Sequence, residues 1–157
     1  MTSSEPVATA GELRGAGLRV TAARVALLEI VRGGDHLGAE AIAAEVRDRL
    51  GHISLQAVYD ALYALTEAGL IRRIEPAGSP VRFEGRVSDN HHHLVCRSCG
   101  VVADVDCAVG EAPCLTASDD QGFSIDEAEV LYWGLCPACS TSVPEHPDTS
   151  TPEGSHV

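Results

Sequence analysis

Two Cys-x-x-Cys pairs, Cys96 with Cys99 and Cys136 with Cys139, constrain this chain more than any other feature. Two intervening residues let both thiolates of a pair reach one ion from a tight turn, and two such turns complete a tetrahedral zinc site with Zn–S distances of about 2.3 Å. The 36 residues between the pairs must then be looped out as structure of their own. We predict a closed, structural four-thiolate zinc site that clamps the ends of a small domain. A redox pair or ordinary buried cysteines are the alternatives.

The charge distribution divides the chain near residue 86. Residues 1–85 hold nine of the eleven basic residues, all arginines, and carry a net charge of −2, whereas residues 86–157 carry −10. With 157 residues, the chain is long enough for two small domains. We predict a first domain over residues 1–85 and a zinc-clamped second domain over residues 86–140. The Pro-, Ser-, Thr- and Glu-rich segment 141–157 is predicted to be a disordered tail.

The sequence predicts a cytoplasmic location. No apolar run approaches the ~18 residues of a membrane span, and the N-terminal segment lacks the apolar core of a secretory signal. Disulfide scaffolds are disfavoured in the cytosol, where paired cysteines more often bind metal or carry out redox chemistry.

The first half has the apolar periodicity of a small helical domain. Apolar residues recur at helical spacing in residues 21–32, 39–50 and 55–68. Thr21 and Ser54 are predicted N-caps, and a further short helix is expected near residues 9–16. The segments "LIRRIE" and "VRFEG", separated by the turn "PAGSP", predict a two-stranded hairpin. Three helices followed by a hairpin predict a winged helix-turn-helix, whose third helix would enter the DNA major groove.

The second half reads mainly as short strands. The segments "HHLVC" and "VVADVDC", and the end of "GFSIDEAEVLYWGLC", are predicted strands, and "EAPCLTASDDQ" is a predicted short helix. We therefore expect a small α/β domain with an antiparallel sheet, and an α+β fold class for the chain as a whole.

Three consecutive histidines begin the first strand of the second half. Because side chains alternate between the two faces of a strand, His91 and His93 point the same way and His92 points the opposite way. Two imidazoles at this spacing can bind one metal ion if other segments supply further ligands. His92 is predicted to lie on the surface or in a secondary site.

The further ligands would come from both halves of the chain. The candidates are His36 in a turn of the first half, Glu84 at the end of the hairpin, and Asp104 on the neighbouring strand. Mixed nitrogen and oxygen ligands suit Fe(II), Mn(II) or Zn(II). Filling such a site would favour one relative orientation of the two domains, which is the basis of a switch. The alternative for His36 is an ordinary surface histidine.

Candidate DNA contacts lie on the third predicted helix and around it. Opposite the core stripe of this helix stand Gln56, Tyr59, Asp60 and Tyr63. Glutamine can read adenine, and a tyrosine ring can contact a thymine methyl group. Arginines before the helix and on the hairpin are natural phosphate contacts: Arg14, Arg19, Arg24, Arg72, Arg73 and Arg82. The alternative is a solvated amphipathic helix whose tyrosines pack on the seam between the domains.

These features together resemble the ferric uptake regulator (Fur) family. The segments "GLRVTAAR", "SLQAVYDAL", "RFEG", "HHH", "CRSCG" and "CPAC" follow one another over about residues 10–140. The second half is similar to the actinobacterial FurA-type branch. The resemblance implies a homodimeric, metal-dependent repressor with a winged-helix domain, a dimerisation domain and AT-rich palindromic operators. It also implies control of iron or oxidative-stress genes, including catalase-peroxidase genes.

The resemblance assigns roles to individual residues. The implied regulatory site, which holds Fe(II) or alternatively Mn(II) or Zn(II), comprises His36, Glu84, His91, His93 and Asp104. The implied structural Zn(II) site comprises Cys96, Cys99, Cys136 and Cys139. The implied DNA contacts are Tyr59 and the minor-groove residue Arg19.

The chain departs from the family pattern at three places. Asp60 stands where many members carry arginine, and its charge repels phosphate. A further metal site of some members would fall on Asn90, His92, Glu111 and Ala128, and only two of these are good ligands. Peroxide-sensing members, which oxidise an iron-bound histidine, carry aspartate at the position of Glu84. Oxidation of the thiols of Cys96 or Cys99 is therefore an alternative route for oxidant sensing.

Two other protein classes share parts of this pattern. A zinc hydrolase or deaminase would need His-x-Glu ahead of Pro-Cys-x-x-Cys, or His-Glu-x-x-His, and the sequence contains neither motif. A thiol redox protein would place its Cys-x-x-Cys at the start of a helix. Cys107 and Cys114 are predicted to be small buried hydrophobes, with a second redox pair as the alternative. We predict a non-enzymatic repressor; a zinc-containing thiol redox protein and a zinc- or manganese-sensing relative are the alternatives.

Overall fold

The computed structural model describes residues 5–87, 89, 91–106, 117–125 and 128–141. The first half contains α1 (Glu5–Gly15), α2 (Ala22–Gly33), α3 (Ala39–Leu50) and α4 (Leu55–Glu67), followed by β1 (Arg72–Ile74) and β2 (Arg82–Glu84). The second half contains β3 (His91–Cys96), β4 (Val102–Asp106), β5 (Leu131–Gly134) and α5 (Pro137–Ser140). This order of elements is consistent with the predicted α+β class. Several predicted features lie outside the described residues: Cys107, Cys114, residues 111–116 of the helix predicted at 111–121, and residues 142–157 of the predicted tail.

The structure contains the three predicted helices as α2, α3 and α4, and side-chain caps begin α2 and α4. The hydroxyl oxygen of Thr21 accepts a hydrogen bond from the Arg24 amide at 3.2 Å, and that of Ser54 accepts one from the Ala57 amide at 3.1 Å. Each cap satisfies one of the N–H groups that a first helical turn leaves without a partner. None of the described helices is long and apolar enough to cross a membrane.

The core of the first half is built by all four of its helices. Fully buried side chains on these helices are Leu13, Leu27, Leu28, Val31, Ile42, Val46, Val58, Leu62 and Leu65. α1 begins earlier than the helix expected near residues 9–16, and Leu13 is its contribution to this core. Leu50, the last residue of α3, is 47 % exposed. The helix predicted to enter DNA is thus the fourth, α4.

The hairpin brings the end of β2 next to the turn between α2 and α3. β1 and β2 pair antiparallel, with Arg72 opposite Glu84. On the other edge of β2, the Phe83 amide donates a 2.9 Å hydrogen bond to the carbonyl oxygen of Leu37. β2 is therefore held from both sides, and this fixes Glu84 beside the loop that carries His36.

The second half contains a three-stranded sheet in the order β4-β3-β5. β3 and β4 are antiparallel, as predicted, and His93 lies opposite Asp104. β5 runs parallel to β3, so the expectation of an antiparallel sheet is wrong for this pair. β4 ends beside the first residue of β3, and β5 begins near that same end. The parallel course of β5 delivers Cys136 to the end of β3 where Cys96 lies.

Gly85 provides the close approach between the hairpin and α2. A Cβ added at Gly85 would lie 2.8 Å from the Cα of Arg32, too close for any real side chain. We expect Gly85→Ala to lower the free energy of unfolding by about 1–3 kcal/mol, as overpacking of a rigid contact does. Chemical denaturation measures this change.

Gly33→Ala is the matched control, because a Cβ there meets no atom within 4 Å. This variant should be neutral or slightly stabilising. Equal unfolding midpoints for the two variants would show that Gly85 is not a tight contact.

Candidate metal centres

The four paired cysteines come together at one end of the three-stranded sheet. One sulfur from each residue lies within 4.8 Å of all the others, and the Sγ atoms of Cys99 and Cys136 are 3.7 Å apart. A tetrahedral zinc ion with Zn–S bonds of about 2.3 Å would place sulfurs about 3.8 Å apart. The four thiols are free rather than paired in disulfides. The donor set and its spacing fit a closed tetrahedral zinc site.

Tight turns hold these sulfurs in place. The first pair lies in the turn after β3, where the Gly100 amide donates to the Cys96 carbonyl at 3.0 Å and Gly100 has a φ of +74°. The second pair brackets the start of α5, and the Cys139 amide donates to the Cys136 carbonyl at 3.0 Å. The predicted turn between strands thus exists, and the first Cys-x-x-Cys does not begin a helix as that of a thioredoxin-like protein would.

The thiols of this cluster differ in acidity. Backbone N–H groups, first that of Cys99 and then that of Cys136, lower the pKa of Cys96 to about 6. The Cys136 amide lies 3.3 Å from the Cys96 sulfur. A hydrogen bond with Ser98 lowers the pKa of Cys139, but the sulfurs of Cys136 and Cys99 outweigh it and raise that pKa to about 11. Cys96 is therefore more readily ionised for metal binding than Cys139.

Three histidines converge on one carboxylate oxygen at the second candidate site. The Nε2 atoms of His36, His91 and His93 lie 3.1, 3.2 and 3.1 Å from Oε2 of Glu84. The Nε2 atoms of His91 and His93 are themselves 3.2 Å apart. All four residues are buried. Oε2 of Glu84 thus contacts imidazole nitrogens from both the α2–α3 loop and β3.

Asp104 completes the cluster from the neighbouring strand. Its Oδ1 lies 2.7 Å from Nε2 of His36, 3.5 Å from that of His93 and 3.7 Å from that of His91. Its side chain is 30 % exposed, in contrast to the buried histidines. One ligand atom each of His36, Glu84, His93 and Asp104 lies within 4.8 Å of the other three. His91, the fifth residue assigned to the regulatory site, joins them through its 3.2 Å contact with Glu84.

The hydrogen bonds around His91 test whether this donor set fits a cation. Oδ1 of Asp89 lies 3.0 Å from Nδ1 of His91, so this carboxylate accepts the Nδ1 proton and leaves a lone pair on Nε2. That lone pair faces Oε2 of Glu84 and Nε2 of His93, both at 3.2 Å. A lone pair of His91 so close to the Glu84 carboxylate is favourable only with positive charge between the two, either an extra proton or a metal ion. The five residues fit Fe(II), Mn(II) or Zn(II) with mixed nitrogen and oxygen ligands.

The charges at this site reinforce one another. Burial disfavours the charged form of His36, but its hydrogen bond to Glu84 and the charge of Asp104 outweigh burial and raise its pKa above the ordinary value of 6.5. Burial raises the pKa of Glu84, but hydrogen bonds from His36 and His93 hold it far below the ordinary range. Glu84 is therefore ionised at every physiological pH and is available as a ligand.

His92 lies on the other face of β3 and is buried, with 2 % of its surface exposed. The prediction that it lies on the surface is wrong, because strand alternation gives the face on which a side chain lies but not what packs against that face. The ring of Tyr132 on β5 packs edge-on against His92, with 6.1 Å between centroids. Of its proposed co-ligands, Asn90 and Glu111 lie outside the described residues.

α4 exposes the face that was predicted to contact DNA. Tyr59 is 42 % exposed and Tyr63 is 66 % exposed. The amide nitrogen of Gln56 donates to Oδ1 of Asp60 at 2.8 Å, one helical turn away. Gln56 must therefore break this bond, or turn its carbonyl outward, before it can read a base.

The arginines predicted to contact phosphate divide into two groups. Arg14 and Arg19 are exposed, and Arg24 donates a 2.9 Å hydrogen bond to the Arg19 carbonyl that holds that segment in place. On the hairpin, Arg82 instead donates to backbone carbonyls in the interior. Arg72 lies 3.9 Å from Oε1 of Glu84. Arg72 and Arg82 thus lie toward the metal cluster, whereas Arg73 is exposed and pairs with Glu75 at 2.9 Å.

Comparison with known proteins agrees with this architecture. The model of the Ferric uptake regulator family matches residues 15–132. The chain belongs to the ferric uptake regulator family. It is 65 % identical over 133 residues to the transcriptional regulator FurA of Mycobacterium tuberculosis, covering 85 % of this chain and 90 % of that protein. It is 61 % identical over 123 residues to ferric uptake regulation protein 1 of Mycolicibacterium fortuitum, covering 78 % and 76 %. The resemblance to the FurA-type branch is thereby confirmed.

Solved structures of family members share the fold. The Vibrio cholerae ferric uptake regulator superimposes with a TM-score of 0.67 at 28 % identity, covering 81 % of this chain and 98 % of that one. The Pseudomonas aeruginosa regulator, solved with manganese, gives a TM-score of 0.67 at 29 % identity, covering 81 % and 96 %. These relatives are named ferric uptake regulators, and they bear out the α+β fold predicted for this Fur-family chain.

Two residues at the histidine cluster of this family member escaped the sequence analysis. Asp89 orients His91, as described above. Arg86 forms ion pairs with Asp89, with Oδ1 of Asp106 at 2.6 Å, and with Oδ2 of Asp104 at 3.6 Å. The carboxylates, Asp106 first, raise the pKa of Arg86, so that its charge persists. In the sequence, the only indication of these roles is that Arg86 and Asp89 lie just before the three histidines, in "RVSDNHHH".

Protons should compete with a divalent cation at this site near neutral pH. Because the pKa of His36 is raised, its Nε2 holds a proton at a higher pH than an ordinary histidine with a pKa of about 6.5 does. We expect the apparent affinity for Mn(II), measured by calorimetry, to fall steadily as the pH falls from about 8 to about 6. The free energy of unfolding of the metal-free protein should instead fall as the pH rises. The reason is that the stability contributed by protonated His36 is lost as the pH rises through the pKa of His36 in the folded protein.

The variant His52→Ala is the control for this experiment. His52 is exposed and lies outside the cluster, so the variant should keep the pH dependence of the parent. An Mn(II) affinity that does not change over this pH range would contradict coordination by His36.

Proposed function

We propose that the chain is a homodimeric, metal-dependent transcriptional repressor whose regulatory ion binds His36, Glu84, His91, His93 and Asp104. The supporting observation is that ligands from both halves of the chain converge on Oε2 of Glu84. Such a site ties the relative orientation of the two halves to the binding of one ion. A four-cysteine zinc at Cys96, Cys99, Cys136 and Cys139 is proposed to be structural.

The proposed switch acts through the elements that carry the ligands. His36 lies in the loop between α2 and α3, and Glu84 ends β2; both belong to the proposed DNA-binding domain, residues 1–85. His91 and His93 lie on β3 in the proposed dimerisation domain, residues 86–140. A bound divalent cation would supply the positive charge that lets the imidazole nitrogens and the Glu84 carboxylate lie this close together. The ligands then hold α4 in one orientation relative to the dimer.

The proposed DNA contacts follow from this orientation. Tyr59 and Tyr63 on α4 would face the major groove with Gln56, and Arg19 and Arg24 would lie at the backbone or the minor groove. A symmetric dimer presents two such helices, which suits a palindromic operator whose half-sites are one helical turn apart. Asp60 on the same face opposes phosphate contact, so base contacts and arginines outside α4 must supply the affinity. AT-rich operators of iron or oxidative-stress genes, catalase-peroxidase genes among them, are the proposed targets.

Thiol chemistry is a second candidate route for oxidant sensing. The lowered pKa of Cys96 favours the thiolate, which is the form that oxidants attack. Cys99 next to it is exposed. Oxidation of this pair would release zinc and loosen the end of β3 at Cys96, three residues after His93. The alternative route is oxidation of a histidine next to bound iron.

Metal-dependent DNA binding tests the proposed function. We expect Mn(II) to increase the affinity for a palindromic AT-rich duplex by at least about tenfold, which corresponds to about 1.4 kcal/mol of coupling. His93→Gln should abolish this increase, because it removes a ligand at the centre of the cluster. Gel-shift titrations with and without Mn(II) measure both effects.

His92→Gln is the matched control, since His92 is equally buried on the same strand but faces away from the cluster. It should retain the response to Mn(II). If Mn(II) changes neither the affinity nor the specificity of the parent protein, the repressor mechanism fails.

Peroxide treatment separates the two oxidant routes. We expect treatment of the zinc- and Fe(II)-loaded protein to add oxygen to the peptide that contains His91 if iron mediates sensing. If the thiols mediate sensing, treatment should join or oxidise Cys96 and Cys99 with release of zinc. Mass spectrometry and zinc analysis distinguish these outcomes, with the Mn(II)-loaded protein as the control. DNA binding that survives peroxide without either modification would exclude oxidant sensing.

A further inference from the structure

One arginine side chain connects the two candidate metal sites. Nη1 of Arg82 donates a hydrogen bond to the carbonyl oxygen of His36 at 3.2 Å, and Nη2 donates to the carbonyl oxygen of Gly100 at 3.2 Å. His36 is a member of the three-histidine cluster. Gly100 directly follows Cys99 in the first cysteine turn. A single planar guanidinium therefore spans from one site to the other.

Both carbonyl groups belong to backbone that needs support. His36 has a φ of +53°, which is unfavourable for a residue with a side chain, and Gly100 has a φ of +74°. The Phe83 amide holds the residue after His36 through its 2.9 Å bond to Leu37. Arg82 holds the carbonyl of His36 itself. Its hydrogen bond thus helps to fix the conformation that directs the His36 imidazole at Glu84.

The surroundings of Arg82 restrict its guanidinium to this position. The side chain is part-buried, and its Nε is buried without a hydrogen-bond partner in the described part of the chain. A donor in such a place gives up hydration, so the two carbonyl groups must compensate for that loss. Arg82 lies on β2 opposite Ile74 and two residues before Glu84, so its backbone is fixed by the hairpin.

β3 alone does not couple the sites in the same way. It carries His93 and Cys96 on one strand, and it is hydrogen-bonded to β4 and β5 on its two sides. His36, however, lies in the other half of the chain. Arg82 links that histidine to the cysteine turn by two hydrogen bonds through one side chain.

We propose that Arg82 is a positioning residue that transmits the state of the four-cysteine site to the regulatory site, an inference that rests on the proposed function. Ordered cysteine turns fix the position of the Gly100 carbonyl, and this carbonyl accepts a hydrogen bond that positions the Arg82 guanidinium. The positioned guanidinium then stabilises His36 in its metal-binding conformation. Disorder of the cysteine turns releases the guanidinium and weakens regulatory metal binding at His36.

The test compares Arg82→Met with the parent, both as full-length, zinc-loaded protein. Methionine keeps a long apolar side chain but cannot donate to either carbonyl. We expect Arg82→Met to retain its zinc and to bind Mn(II) about tenfold more weakly, the effect of losing one charge-assisted hydrogen bond. Arg82→Lys keeps the charge but cannot span both carbonyls, so it should recover only part of the affinity. Calorimetry measures the affinities, and metal analysis measures the zinc.

A spectroscopic readout separates transmission from a general loss of stability. In the parent, filling the regulatory site with diamagnetic Zn(II) should shift the carbonyl carbon resonance of Gly100 as well as the resonances of β3. In Arg82→Met the β3 resonances should still shift, whereas that of Gly100 should not. Arg97→Met is the control, because the Arg97 guanidinium lies near the same turn but stacks on the Trp133 ring at 5.3 Å. This variant should behave like the parent.

Three results have distinct meanings. Parent-like Mn(II) affinity in Arg82→Met, or a Gly100 shift that persists in that variant, overturns the inference. If Arg82→Met loses zinc or does not fold, Arg82→Lys decides, and parent-like affinity and Gly100 shift in it also overturn the inference. A parent protein that does not bind Mn(II) contradicts the proposed function instead.

Discussion

The structure of the candidate sensor depends on one buried carboxylate. Oε2 of Glu84 lies within 3.2 Å of three imidazole nitrogens that come from two distant segments. No arrangement of neutral histidines can satisfy these contacts, because His91 already gives its Nδ1 proton to Asp89. Positive charge at this point, whether a proton or a metal ion, is therefore what joins the α2–α3 loop to β3. The hairpin matters because it holds Glu84 there.

β3 serves both candidate metal sites through the simple geometry of a strand. His91 and His93 lie on one face, and Cys96 lies three residues further along at the end of the strand. Its central position in the sheet fixes this spacing through hydrogen bonds on both sides. The parallel course of β5 then brings the second cysteine pair to that end. The topology of this sheet thus places the two histidines of one candidate site and the four cysteines of the other.

Local patterns predicted much of this molecule. The caps at Thr21 and Ser54 and the shared face of His91 and His93 follow from periodicities of a few residues, and the structure contains all of them. The direction of β5 and the burial of His92 did not follow, because both depend on how distant segments pack. The same limit applies to Arg82, which was predicted to contact phosphate from its place on the hairpin alone. A pattern on a hairpin does not reveal that a guanidinium turns inward to carbonyl groups 46 and 18 residues away.

The same cluster explains how a proton and a metal ion can have different effects. A proton on His36 satisfies the contact of that imidazole with Glu84 and Asp104, which is why its pKa is raised. It leaves the Nε2 lone pair of His91, which faces Oε2 of Glu84 at 3.2 Å, without a positive charge between the two acceptors. A divalent cation with several coordination positions can satisfy all three imidazoles together. Protonation therefore stabilises one edge of the site, whereas metal binding joins every element that contributes to it.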